Sequence, residues 1–391
     1  MRFVFLSSMS GVPWGGSEEL WSQAAVRLAR QGHDVSASVV WWPELSRSVR
    51  EFEQQGVKLF TRKPRSPKLS ARLLRKVKRL ILLEEEKEFE WLRLQKPDLV
   101  VVSQGGNIDG IDWMNFCGQT CLPFVSIVQC NVDGWYPDDG FSIEMAQAYR
   151  FAKKAFFVSN HNLKLLEHQI GEPLPNASVV WNPYNLSDDQ IPPWPEDDGV
   201  LRLACVARLD PWYKGQDVLF QVLAQPLWRQ RPLEINLYGS GTHQRILQIL
   251  AERLHLKNVH FCGHMDDISA IWQRNHMLIL PSRCEGLPLA LVEAMWCARP
   301  AIVTNVGGNA ELCVDDETGF VADAPAPEVF GKALERAWQR RQDWETMGLA
   351  ARRRAEQLIP QDPIGDFCSL LTSCVDREEG QPVHNGHSVQ Q

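Results

Sequence analysis

A chain of 391 residues with 44% hydrophobic and 23% charged side chains has the make-up of an ordinary globular protein. It also exceeds the size at which one core keeps growing, so two domains are expected. A net charge of −7 excludes a general nucleic-acid binder, and no apolar run reaches the roughly 18–20 residues of a membrane span.

The first apolar run, residues 2–7, predicts a buried strand. The glycine loop from Ser10 through Gly15 and Gly16 to Ser17 follows it. Ser17 is expected to cap a helix over 18–30, with Glu18 and Glu19 favourable in its first turn. Gly32 ends that helix and a second strand follows over 34–40, completing a parallel βαβ unit. Further strands are expected over 57–60, 98–102, 123–128, 155–159 and 178–180. This N-terminal segment is too short for a signal-peptide core. The ten cysteines lack a CxxC pair, and scattered thiols of this kind read as reduced core residues of a cytoplasmic protein.

Residues 62–79 interrupt the α/β alternation with nine basic side chains, Arg62, Lys63, Arg65, Lys68, Arg72, Arg75, Lys76, Lys78 and Arg79, and no acid. Leu69, Leu73, Val77 and Leu80 recur there at helical spacing, and the acids Glu84 to Glu86 follow. Two readings stand: a solvated helix paired with those acids, or a basic amphipathic helix resting on an anionic membrane surface or acceptor. Three prolines and five acids in residues 187–199 make a linker.

A second α/β series begins with a strand over 201–206, a helix over 216–227 and a strand over 233–238. It continues with a helix over 242–254, strand 258–262, a short helix from Asp267 and strand 277–280. Strands 301–304 and 319–322 and helices 326–340 and 344–358 follow. Pro360 and Pro363 break the pattern before a last helix over 364–374, and the polar remainder from 378 is expected to be disordered.

The chemistry gathers at strand ends of the second half. Arg208 and Lys214 lie before a helix, a seat for a diphosphate. Gly239 and Gly241 make a second strand-to-helix turn, and Gly307 and Gly308 a fourth element. Between them Glu285-Gly286-Leu287-Pro288-Leu289 leads into a helix carrying Glu293. Free backbone N–H groups at such a turn suit phosphate, and carboxylates accept hydrogen bonds from sugar hydroxyls. Loops at the carboxyl edge of a doubly wound sheet are where ligands bind. His264 stands at a strand end, either as an ordinary loop residue or beside a nucleobase. Trp14 and Trp135 are either core anchors or platforms for acceptor sugars. The ten histidines form no HExxH or H-x3-H pattern, so no metal site is expected. The paired acids Asp138-Asp139 and Asp197-Asp198 read as solvated turn residues.

This ordered set resembles the family 4 retaining glycosyltransferases, over most of residues 1–375 and most densely over 200–323. Residues 285–293 look like that family's E-x7-E motif. The resemblance implies an α/β GT-B fold of two Rossmann-like domains facing across a cleft. Residues 1–186 would bind the acceptor, 187–199 link, 200–360 bind a nucleotide-sugar donor, 361–376 return as a helix to the first domain, and 377–391 form the tail. By the same resemblance Arg208 and Lys214 hold the diphosphate, Glu293 bonds the ribose, and Glu285 lies near the transferred sugar. The backbone of Gly286, Leu287, Pro288 and Leu289 supplies N–H donors, and Gly15 and Gly16 approach the donor phosphate. Gly239, Gly241 and His264 join the donor set.

The family often has a histidine after the strand over 123–128. Here Gln129, Asn131 or Asp133 stands near that place, and Asn131 is taken as the catalytic candidate beside Glu285, Lys214 and Arg208. Val180-Trp181-Asn182-Pro183 resembles the Asn-Gly segment before the family's hinge, with proline for glycine. The implied function is metal-independent, retaining transfer of a hexose-type sugar from a nucleotide-diphospho-sugar to a glycan, lipid-linked or small-molecule acceptor, as in polysaccharide biosynthesis. No cofactor is expected beyond that co-substrate. The alternative is a non-catalytic nucleotide-sugar-binding homologue. A nicotinamide oxidoreductase is excluded, because no GxGxxG opens either half. The expected location is cytoplasmic, peripheral at the inner membrane face through Arg72, Arg75, Lys76 and Arg79.

Overall fold

The computed structural model describes residues 1–375 apart from 10, 12, 44, 45, 64–86, 185 and 187–189. Seven strands build the first sheet: β1 (Arg2–Ser7), β2 (Asp34–Val40), β3 (Val57–Arg62), β4 (Leu99–Gln104), β5 (Phe124–Val128), β6 (Lys154–Phe157) and β7 (Ala177–Val179). Their order is β3-β2-β1-β4-β5-β6-β7, and every pairing is parallel. Six strands build the second: β8 (Leu201–Val206), β9 (Leu233–Tyr238), β10 (Val259–Gly263), β11 (Met277–Leu280), β12 (Ala301–Thr304) and β13 (Gly319–Ala322). These run in the order β10-β9-β8-β11-β12-β13, again all parallel. Both sheets are doubly wound. The strand order reverses between β1 and β4 in the first and between β8 and β11 in the second, and clefts open at the carboxyl ends of such strands.

Alternation along β1 explains how the first sheet is covered. Phe3 and Phe5 face one side and pack with Leu20, Trp21 and Leu28 of the helix Glu19–Arg30. Val4 and Leu6 face the other and pack with Met114, Met145 and Tyr149. A period of two on a strand buried on both faces requires apolar residues at every position, hence the continuous run. The last helix, Pro363–Ser373, adds Ile364, Phe367 and Leu371 to the first of these clusters. The i, i+3, i+7 spacing sets all three on one face. Asp362 caps this helix through the Gly365 N–H and pairs with Arg27 at 2.6 Å. A residue far along the chain from β1 thus completes the core of the first sheet.

Several expected bounds shift for local reasons. The helix expected over 216–227 ends at Leu223, and a separate turn, Pro226–Arg229, follows it. Pro226 lacks the N–H that would continue the first helix and instead starts the second. Ser17 does not cap the first long helix. Its hydroxyl meets the Met9 sulfur at 3.2 Å, and the chain enters through a 3-10 turn, Gly16–Glu18. Arg62, counted with the basic segment, is buried at the end of β3. It donates to the Ser7 carbonyl and lies over the Trp113 ring at 5.1 Å. The basic residues Arg72, Arg75, Lys76 and Arg79 lie outside the described residues, as does the tail from 377. Among the described residues no helix is long and apolar enough to cross a membrane.

The passage between the sheets is fixed by one buried cation. Arg299 is 1% exposed and donates to the carbonyls of Trp272, Asn275 and Cys297 in its own half. It also donates to the carbonyl of Pro193 at 2.6 Å, and its guanidinium lies over Trp194 at 4.8 Å. Burial lowers its pKa to about 10, which leaves it charged at neutral pH. An irregular proline segment has few N–H donors of its own, so its carbonyls take theirs from this fork. Arg299→Ala strands several buried carbonyls and is expected to destabilise the protein by roughly 2–4 kcal/mol, with Arg299→Lys recovering only part. Urea unfolding midpoints of the two variants measure this.

Candidate active site

Strand β8 ends at Val206, and the chain turns through Arg208 into a short helix, Pro211–Lys214. Gly215 stops that helix with a left-handed backbone (φ +64°), and a Cβ there would collide with the Pro281 carbonyl. Glycine is therefore required. Lys214 thus closes a short helix and does not stand free before the next one, which starts at Gln216. Strand β11 ends beside it, and the following residues are tied down in sequence. The Arg283 and Cys284 N–H groups both donate to the Tyr213 carbonyl, at 2.8 and 3.2 Å. The Arg283 guanidinium grips Asp217 with two bonds of 2.6 and 2.8 Å.

This anchoring brings Lys214 and Glu285 together across 71 positions of sequence. The Lys214 ammonium donates to both Glu285 carboxylate oxygens, at 2.8 and 2.7 Å. Ser282 adds a 2.7 Å hydroxyl bond to the first of these oxygens, and Thr304 donates to the Ser282 carbonyl. Burial works against the Lys214 charge. The Glu285 carboxylate, by its charge and its hydrogen bonds, more than offsets this and holds the lysine above its ordinary range. Glu285 itself is 5% exposed. Arg208 bonds Asp210 at 3.1 Å and lies 5.6 Å from the Tyr213 ring, and its Nε has no partner among the described residues.

Glycines let backbone approach backbone around this carboxylate. Gly307 has φ +52°, and its Cα rests on the Glu285 carbonyl. The Gly308 N–H donates to the Gly286 carbonyl at 2.6 Å. A Cβ on Gly239 or Gly241 would strike the carbonyls of Ala207 or Leu209, so that turn packs on the Arg208 segment. Pro288 caps the helix Leu289–Trp296, where Glu293 is the fifth residue and is buried.

The first half meets this loop directly. A Cβ on Gly286 would overlap the Gln129 carbonyl, and one on Gly16 would lie 3.3 Å from the Leu289 side chain. Gly16 therefore faces the start of the helix that follows Glu285, and Gly15 leads into the turn that carries it. Asn131 is held by Asn162 through bonds of 3.3 and 2.7 Å, and Asn162 reaches the Glu285 carbonyl at 3.4 Å.

Of the three residues near the family's histidine position, Gln129 is closed against Asn182 by reciprocal amide bonds of 3.1 and 2.8 Å. Asp133 bonds His161 at 2.8 Å and raises that histidine's pKa. Asn131 keeps an oxygen without a partner among the described residues. Other predicted residues lie apart from the carboxylate. His264 is exposed and pairs with Asp266 at 3.1 Å. Trp14 donates to Glu19 and packs against Trp21 at 6.3 Å, and Trp135 packs against Phe141 at 6.4 Å. Among the described residues no three His, Cys, Asp or Glu converge in a way that could hold a metal.

Sequence reasoning missed Ser282, Asp217, Asn162 and Glu311. Glu311 crosses from the second half to cap the helix Asn160–Ile170, accepting from the Asn160 and His161 N–H groups at 3.2 and 2.8 Å. A carboxylate at a helix N-terminus is favoured by the orphan N–H groups and the dipole. Nothing in the local sequence of a Gly-Gly-Asn-Ala-Glu stretch marks that distant partner.

Residues 201–340 match the sequence family described as glycosyl transferases group 1. The match lies wholly within the second half of the chain. Over 153 residues the chain is 31% identical to D-rhamnosyltransferase WbpZ of Pseudomonas aeruginosa, which covers 38% of this chain and 39% of that protein. It is 33% identical over 151 residues to D-inositol 3-phosphate glycosyltransferase of Paenarthrobacter aurescens, 37% of each. The chain thus spans about two-fifths of the length of these curated relatives. Solved structures extend the likeness in fold to almost the whole chain. HepE of Anabaena, crystallised with UDP and glucose, superposes with a TM-score of 0.69 at 18% identity, over 95% of this chain and 99% of that one. Sucrose-phosphate synthase of Thermosynechococcus elongatus reaches 0.72 at 16% identity, over 95% and 98%. The fold is the GT-B arrangement of two parallel α/β sheets.

Glu18, at the mouth of β1, is a third buried carboxyl. Ser7 donates to it at 2.7 Å, and the two line a small recess with Trp14 and Trp42. Burial raises its pKa from 4.5 to about 7, against the hydrogen bond from Ser7. A raised acid pKa means the folded chain holds an extra proton between those values. The stability contributed is full below pH 4.5 and is lost as pH rises through about 7. Glu18→Gln is expected to remove this dependence, so that between pH 5 and pH 8 the variant loses roughly 1–3 kcal/mol less than the wild type. Denaturant melts at the two pH values read this out.

Proposed function

We propose that this chain is a retaining glycosyltransferase that moves a hexose-type sugar from a nucleotide-diphospho-sugar to a glycan, lipid-linked or small-molecule acceptor. The observation that carries the reading is the Lys214–Glu285 pair at the point where the second sheet reverses, faced by Gly16 of the first half. Arg208 and Lys214 hold two cations beside glycine turns, a chemistry suited to a diphosphate. As the sugar–phosphate bond breaks, negative charge grows on the departing nucleotide diphosphate, and fixed cations with backbone N–H donors stabilise it without reorganising. Metal-independent transfer follows from this reading, because those cations supply the charge a divalent ion would bring. Glu285, fixed by Lys214 and Ser282, accepts hydrogen bonds from hydroxyls of the moving sugar, and Glu293 serves the ribose. Asn131 sits on the acceptor side, where its unpaired oxygen can accept a hydrogen bond from the reacting sugar. Attack from the face the leaving group quits retains configuration.

The UDP and UDP-glucose complexes of HepE support a uridine nucleotide as the first donor to test. A thermal-shift screen of UDP-, GDP- and ADP-sugars is expected to raise the melting temperature with one base class, since a ligand of the native state stabilises it by mass action. Lys214→Ala is expected to lower kcat/KM for transfer by about 100-fold or more. Glu285→Gln, which keeps the shape and one acceptor oxygen, is expected to lower kcat with a folded, ligand-stabilised protein. Wild type and both variants equally inert on every nucleotide-sugar would overturn the reading.

A peripheral seat on an anionic membrane rests on the eight basic residues of 63–79, since Arg62 is withdrawn from the set by its burial. Flotation with liposomes rich in anionic lipid is expected to carry the wild type and to leave R72A/R75A/K76A/R79A behind. Equal flotation of both proteins removes the membrane from the proposal.

A further inference from the structure

Ten thiols are spread through this chain, and two of them meet where the two sheets face each other. Cys130 follows β5 in the first half and Cys284 follows β11 in the second, 154 positions apart. Their sulfurs lie 2.7 Å apart. A disulfide bond measures about 2.05 Å, so a displacement of well under one ångström separates this pair from covalent distance. The backbones on either side are already in contact. The Gly286 Cα abuts the Gln129 carbonyl, and the Cys284 thiol donates to the Asn131 carbonyl at 3.1 Å. Segments 129–131 and 284–286 thus lie back to back, and neither must move as a body for the sulfurs to join.

We propose that Cys130 and Cys284 are a covalent modification site, forming a reversible disulfide that locks the two halves of the molecule closed over the cleft. Cys130 is partly exposed and Cys284 buried, so a small oxidant reaches Cys130 first and Cys284 acts as the resolving thiol. With a peroxide as oxidant the Cys130 thiolate attacks one oxygen, breaking the O–O bond. This gives a sulfenic acid and, with the thiol's proton, one water. The Cys284 sulfur then attacks the sulfenic sulfur, the S–O bond breaks, and a second water leaves. The sum is two thiols and one hydrogen peroxide to one disulfide and two waters. A dithiol reverses it by exchange.

The neighbouring Cys284 thiol, burial and the Glu285 charge hold the Cys130 thiol protonated well above the usual range, with Lys214 opposing. The reduced pair is therefore slow to oxidise at neutral pH and faster as pH rises. The bond fixes the loop just before Glu285 to the first half. Under the proposed transferase reading, on which this consequence rests, donor binding and nucleotide release need the halves to separate, and the lock stops turnover.

The test uses the full-length chain, reduced, then treated with hydrogen peroxide at pH 8.5 and quenched with N-ethylmaleimide. Non-reducing proteolysis with mass spectrometry is expected to find the Cys130 and Cys284 peptides joined in wild type, and not in Cys130→Ser or Cys284→Ser. This readout needs no activity, so it stands whether or not the transferase reading does. Oxidised wild type is expected to show a higher urea midpoint and at least a tenfold loss of turnover, both restored by dithiothreitol. Each variant, compared with its own reduced form, keeps its midpoint and rate. No linked peptide, or a link between other cysteines, overturns the site. A linked peptide with unchanged turnover overturns the lock. A chain inert on all nucleotide-sugars in both states overturns the transferase reading, and the urea midpoint then decides the lock.

Discussion

At the backbone of Glu285 and Gly286, segments of both halves come into direct contact, and the placing of the carboxylate depends on it. The Gly307 Cα rests on the Glu285 carbonyl, the Gly308 N–H on the Gly286 carbonyl, and the Gln129 carbonyl on the Gly286 Cα. Three chain segments from two sheets can converge there only because the residues at contact have no Cβ. The carboxylate that emerges is then fixed in direction by Lys214 on one side and Ser282 on the other. Packing, not the ion pair, places the group. The ion pair then makes burial of the carboxylate tolerable, since an unpaired charge there would be costly.

The same economy of position appears in the cations. Lys214 is where it is because Gly215 ends its helix and because Arg283, clamped on Asp217, presents two N–H groups to the Tyr213 carbonyl. None of these contacts involves a ligand. The arrangement is thus pre-organised by interactions that exist in the protein itself, which is what electrostatic stabilisation of a developing charge requires. Lys214 also contributes differently from Arg208. The first is neutralised by a buried carboxylate, whereas the second pairs with Asp210 at a half-exposed position and leaves its Nε unused. Under the proposed function, an arriving diphosphate would meet Arg208 with less competition than Lys214.

Strands β8, β9, β11, β12 and β13 were legible to the residue: β11, β12 and β13 are short apolar runs, and β8 and β9 set Arg202, Glu234 and Asn236 among apolar residues at a period of two. Helix limits were less so. Pro226 restarts a helix within a stretch whose apolar spacing reads as unbroken, and Ser17 has the right side chain for a cap but not the backbone setting. In the site, Glu285, Lys214 and the glycines were visible as a motif with known company. Their contact, across 71 positions, was not a matter of spacing. Ser282, Asn162 and Glu311 are common polar residues whose meaning lies wholly in distant partners, so no local pattern could single them out. Arg62 shows the converse error. Counted by charge it belonged to a basic surface, yet the Ser7 carbonyl and the Trp113 ring hold it inside.

The two halves are joined by contacts of different strength, and the difference bears on how the cleft would open. Glu311 accepts two backbone N–H bonds and a side-chain amide from Asn160, all charge-assisted and at the exposed rim. Water can replace each of these as they part, so their net worth is modest. The Gly286–Gln129 contact sets a Cα against a carbonyl oxygen, with no hydrogen bond between the two residues to lose when they separate. The linker, in contrast, is held to the second half by the guanidinium of Arg299, a side chain only 1% exposed. Separation of the halves is therefore easiest at the rim and at the Gly286 contact, while the pivot stays anchored. The final helix, bound to the first sheet by Phe367 against Phe156 at 5.4 Å, supplies a second fixed point. Two anchored crossings thus flank the contact at which Glu285 faces the first half.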